Sequence, residues 1–141
     1  MKVGKRLLAL NFALLFILAL TIPVFADTTD PYTITMGFQS FQSNMNMSGD
    51  GWSYSATDNT LTLTNYSGYR IRASGDLVIY TNGNVSIEGL SGTDYGMSAI
   101  AVSGSLTFVV NSGTTTLSGG DASLYSGGSG IQASNLYLYA A

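Results

Sequence analysis

The chain has 141 residues, 45% of them apolar, with no cysteine, no histidine and a formal net charge of −3. Without cysteine there are no disulfides and no lipid-modified thiol, and without histidine the commonest general base and metal ligand is missing. The acidic balance excludes the basic footprint that nucleic-acid binding needs.

Lys2, Lys5 and Arg6 give the chain a positive start. An apolar run follows to Leu20, Pro23 breaks it, and Val24-Phe25-Ala26 places small residues at −3 and −1 of a cleavage site. This pattern predicts a secretory signal peptide over residues 1–26. A membrane anchor is the competing reading, because Leu7 to Ala26 is nearly long enough to span; Asn11, Pro23 and the cleavage site weigh against it. Cleavage leaves 115 of the 141 residues, with eight acids against Arg70 and Arg72, a net charge of −6. The expected location is secreted or cell-surface, with no membrane span after cleavage. Gly, Ser and Thr enrichment beside β-branched and aromatic residues predicts an all-β fold.

Residues 27–50, with Ile34, Met36, Phe38 and Phe41, are expected to form an N-terminal cap or lead-in. From residue 51 to 141 the chain repeats. Ile71-Arg72-Ala73-Ser74-Gly75-Asp76-Leu77-Val78-Ile79 aligns with Ile100-Ala101-Val102-Ser103-Gly104-Ser105-Leu106-Thr107-Phe108, 29 residues on. A third copy, one residue shorter at the turn, begins at Ile131, 31 residues further. Each copy holds alternating runs whose apolar members share one face: Ile71/Ala73, Leu77/Ile79 and Val85/Ile87 in the first, Ile100/Val102, Leu106/Phe108 and Thr115/Leu117 in the second. Ser74-Gly75-Asp76, Asn82-Gly83, Ser103-Gly104 and Ser112-Gly113 read as turns between them.

Three runs and three corners per thirty residues predict a right-handed parallel β-helix, a β-solenoid in which each coil buries its inward face on the next. A sandwich of antiparallel hairpins competes, since Asn82-Gly83 is a strong hairpin signal; the constant offset between runs favours the solenoid. Trp52/Tyr54 and Leu61/Leu63 would then be the second and third strands of an incomplete first coil, with the rings closing the core. The sequence stops at "NLYLYAA", inside what should be a strand. The expectation is a piece of a longer protein, or an open last coil through which copies self-associate.

Two tyrosine sets are candidates for carbohydrate binding. Tyr80, Tyr137 and Tyr139 point outward by phase, forming a strip with Val78, Thr107 and Val109; a contact with another copy or another domain is the alternative use. Tyr66, Tyr95 and Tyr125 recur at intervals of 29 and 30 and would stack as a ladder at one corner, either as internal support or as a sugar platform. Asp94 and Asp121, in "SGTD" and "SGGD", are candidate ligands for calcium, which takes six to eight oxygens; the competing role is turn formation. Asn46, Asn65 and Asn84 head Asn-x-Ser sequons, a weak signal in so serine-rich a chain. The acids are scattered and no pair has the context of a glycosidase or lyase, so no enzymatic role is expected.

The stretches "GDGWSYSATDNTLTLTNYSG", "ASGDLVIYTNGNVSIEG" and "SGIQASNLYLYA" resemble the secreted carbohydrate-binding domain proteins of Gram-positive bacteria, over roughly residues 49 to 141. The resemblance implies a right-handed parallel β-helix and non-catalytic polysaccharide binding on or near the cell surface, sometimes with calcium. It carries over no site residue. A structural spacer or adhesin stalk without glycan binding is the second functional reading.

Overall fold

The computed structural model describes residues 30–140, all strand, turn and loop. The expected signal peptide lies outside the described residues.

The first hairpins are antiparallel. β1 (Thr33–Met36) turns at Gly37, which has a positive φ of 59°, into β2 (Gln39–Gln42). β3 (Met47–Gly49), β4 (Trp52–Ser55) and β5 (Thr60–Thr64) form a meander, with Trp52 opposite Leu63 and Tyr54 opposite Leu61. β6 (Ser67–Tyr69), β7 (Ile71–Ala73), β8 (Leu77–Asn82) and β9 (Val85–Glu88) follow. β10 (Ile100–Val110), β11 (Thr115–Ser118) and β12 (Ile131–Ala140) are the last strands of the described residues.

The repeat register is realised residue for residue. Ile100 stands beside both Ile71 and Ile131, Leu106 beside Leu77 and Leu136, and Leu117 beside Ile87, all in parallel pairs. The architecture built on that register is not the expected parallel β-helix. Nine strands form one mixed sheet, nearly closed into a barrel, and β11-β9-β6 form a separate three-stranded sheet. Four of the ten strand pairings are antiparallel: β1 with β2 and β7, and β4 with β3 and β5.

Two physical causes explain the correction. The expected corner at Ser103-Gly104 is absent, because β10 runs straight through it for eleven residues. Gly104 permits this: a Cβ there would collide with the carboxylate of Asp76, which accepts a hydrogen bond from the Ser105 amide at 2.7 Å. β10 therefore borders β7 along its first half and β8 along its second, so two runs of a repeat share one sheet. The second cause is the segment before residue 65. Trp52/Tyr54 and Leu61/Leu63 are not coil strands but facing positions of a hairpin, and the β1–β2 hairpin adds antiparallel to β7.

The core follows the inward phase. Ile71, Leu77, Ile79, Ile87, Ile100 and Leu106 are fully or almost fully buried. The rings of the first hairpins close it at one end: Phe41 stacks on Trp52 at 5.6 Å and tilts against Tyr54 at 5.3 Å. In β12 the alternation persists but the cover does not; Leu136 and Leu138 have the inward phase yet are exposed, because β12 pairs only with β10 among the described residues.

The turns after β8 and β10 stack. Gly83 and Gly113 both have positive φ, 73° and 76°, and a Cβ on Gly113 would come within 2.7 Å of Gly83 Cα. Left-handed backbone costs a non-glycine residue about 1–2 kcal/mol before any clash. Gly113→Ala is therefore expected to destabilise by at least about 2 kcal/mol. Gly127→Ala, where the nearest atom to a new Cβ is 3.5 Å away, should shift the urea midpoint little. Equal shifts would contradict the stacked turns.

Candidate functional site

The outward side chains of five neighbouring strands make one continuous face. Across it run two rows set by register: Ser53, Thr62, Tyr80, Val109 and Tyr139, and alongside Ser55, Thr60, Val78, Thr107 and Tyr137. Adjacent strands lie about 4.8 Å apart, so Tyr80 and Tyr139, two strands from each other, are spaced about 9.6 Å at their backbones. Tyr137 and Tyr139 are half exposed and Tyr80 is partly covered. The sequence-derived strip is thus brought together on one side of the sheet.

At the β4–β5 end the face deepens into an open groove of about 720 Å³. Hydroxyls line it from Ser53, Ser55, Thr60, Thr62 and Tyr80, and carboxamides from Asn46, Asn82 and Asn111; Asp58 is its one acid. The groups are held in place. Asn111 Nδ2 donates to Asn82 Oδ1 at 3.3 Å, Ser55 Oγ to Asp58 Oδ2 at 3.2 Å, and Asn46 Oδ1 accepts from the Ala56 amide at 2.8 Å. Sequence reasoning missed this groove. Its residues come from four separate segments, brought together by the pairing of β4 with β5, β5 with β8 and β8 with β10.

The expected ladder of Tyr66, Tyr95 and Tyr125 is split. Tyr95 and Tyr125 stack at 5.5 Å with ring planes 24° apart, in the loops after β9 and β11. They are exposed at 65% and 73%, whereas Tyr66 is buried at 8%. Tyr66 turns inward over Gly68, where a Cβ would meet its ring, and burial raises its pKa above the usual phenol value. Neither Tyr95 nor Tyr125 lines the outer face.

Asp94 and Asp121 are exposed loop residues. Asp121 acts through its backbone: its amide donates to Ser91 Oγ at 3.1 Å and its carbonyl accepts from the Gly92 amide at 3.0 Å. Among the described residues no three of Asp, Glu, His or Cys come together as a metal set. The sequon asparagines also have turn roles: Asn65 has a positive φ of 48° and its Oδ1 accepts from the Asn84 amide at 3.1 Å.

Behind the groove a phenol pair ties the first hairpin to the sheet. Asn59 Oδ1 accepts from both Tyr32 Oη (2.6 Å) and Tyr54 Oη (2.9 Å), and Asn59 Nδ2 donates to the Asp76 carbonyl at 2.9 Å. Burial, then the adjacent Tyr32, pushes the Tyr54 pKa up from 10.0 to about 12. The folded state therefore holds this proton more tightly than the unfolded chain. Stability from this group is complete below pH 10 and is lost as pH rises through about 12. A guanidinium melt repeated across that range should show the loss, and Tyr54→Phe should flatten it.

No family model, curated protein or solved structure matches this chain. Among the described residues no helix is long and apolar enough to cross a membrane.

Proposed function

We propose that the chain is a non-catalytic polysaccharide-binding module, secreted or displayed at the cell surface. The observation that supports this reading most is the continuity of the face: tyrosine rings at the β12 end run into a groove of fixed hydroxyls and carboxamides at the β4–β5 end. Sugar rings present C–H faces that pack on aromatic rings, while their hydroxyls pair with neutral polar groups. An open surface suits a polymer better than a small molecule, and weak contacts repeated along a chain add as avidity. With Asp58 the one charge in the groove, retention of a neutral glycan should resist salt. Affinity electrophoresis through gels carrying a panel of neutral polysaccharides tests the reading: retardation supports it, and unretarded migration in every gel overturns it.

The second reading is a spacer or adhesin stalk, favoured by the Tyr95–Tyr125 stack, which joins successive repeats without needing a ligand. Self-association belongs to the same proposal. Among the described residues β12 pairs on one side only, with β10; Leu136 and Leu138 are exposed, and residues 131–140 contain neither charge nor proline to block pairing.

A further inference from the structure

Arg70 and Arg72 are the only basic residues among residues 30–140, and they line one groove. Arg72, in β7, stands opposite Ala101 of β10, which in turn stands opposite Gln132 of β12. Ala101 ends at its Cβ, so a depression of about 320 Å³ opens between the longer side chains of Arg72 and Gln132. Arg70, Ser103 and Ser134 complete its polar lining, and no acid is among the lining residues.

Among the described residues these charges have no acidic partner. Arg70 Nε is buried with no hydrogen-bond acceptor among the described residues. Its Nη1 meets only the weak acceptor Met97 Sδ, at 3.0 Å. Burial, and then repulsion from Arg72, lowers the Arg70 pKa. Gln132 has its Oε1 toward the Ser98 hydroxyl at 3.5 Å, which leaves its amide N–H groups as donors. Two like charges and a donor amide, set round a hollow in a chain that is otherwise acidic, are the reverse of what a solvated surface needs. Guanidinium forks match the paired oxygens of an oxyanion.

We propose that Arg70, Arg72 and Gln132 form a binding site for a single oxyanion, the carboxylate, sulfate or phosphate group of a ligand. The site uses the N-terminal halves of β10 and β12, whereas the tyrosine face uses their C-terminal halves. It goes beyond the polysaccharide reading and stands or falls separately from it.

The test is an NMR titration of the ¹⁵N-labelled protein with acetate, sulfate and inorganic phosphate, at ionic strength held constant with chloride. The readouts are the Nε–Hε resonances of Arg70 and Arg72. At least one of the three anions is expected to give a saturating shift, and the one that saturates at the lowest concentration identifies the group. Arg72→Gln should weaken that saturation at least tenfold, and Arg72→Lys, which keeps the charge but not the fork, by less. Arg72 is exposed, so both variants should keep the wild-type amide spectrum. Shifts that never saturate with any of the three, or an Arg72→Gln variant that binds as wild type, would overturn the site.

Discussion

Replacing Tyr80 and Tyr139 together by alanine is expected to abolish polysaccharide retention while the protein stays folded. Both rings stand in one row of the outer face, separated by Val109, so their loss removes two stacking platforms without opening the core. Stacked rings contribute about 0.5–1.5 kcal/mol each beyond buried area, and every 1.4 kcal/mol is tenfold in affinity. A loss of roughly fivefold to a hundredfold should follow, read as mobility in polysaccharide-containing gels. Tyr95→Ala with Tyr125→Ala provides the contrast. That pair lies off the face, so retention should survive while stability falls by about 1 kcal/mol. If the second pair abolishes retention and the first does not, the binding surface lies in the loops and the outer face is idle.

Phe108→Asp is expected to unfold the protein. Phe108 is 3% exposed, between Ile79 and Leu138 in the register. An unpaired carboxylate there has no partner, and burying one costs several kcal/mol at least, set against a total stability of about 5–15 kcal/mol for a typical domain. Thr107→Asp, one residue away on the outward face between Val78 and Tyr137, should cost less than about 1 kcal/mol. Circular dichroism melts of the two variants give the comparison. Equal destabilisation would mean that β10 does not have its two faces distinguished as described.

The period-2 alternation and the offset of 29 to 31 residues were enough to place Ile71, Ile100 and Ile131 side by side, and with them the core of the repeats. They did not reveal how the strands close. Ser103-Gly104 carries the residues of a turn, yet glycine also permits an extended strand beside a bulky neighbour. Which use it has depends on the Asp76 carboxylate, 28 residues away in sequence. The hairpins before residue 65 lie outside the 29-to-31-residue offset in sequence, so nothing periodic marked them as antiparallel. The same limit applies to the site. Tyr80, Tyr137 and Tyr139 were legible because phase alone sets their side of the sheet. Tyr66 was not, since the repeat interval matches Tyr95 and Tyr125 while its own neighbour, Gly68, leaves room for the ring to turn inward. The hydroxyl groove and the Arg70–Arg72 hollow arise from pairings between distant strands, and no local pattern announces them.

The central claim is that the outer face of β4, β5, β8, β10 and β12 is where a glycan binds. Amide chemical-shift mapping with a soluble polysaccharide fragment, taken from whichever polymer retards the protein, tests it most directly. The account predicts perturbations in the rows through Ser53, Thr62, Tyr80 and Tyr139 and through Thr60, Thr107 and Tyr137, with the Tyr95 and Tyr125 loops unchanged. Perturbations confined to those loops, or to β6, β9 and β11 on the second sheet, would contradict it.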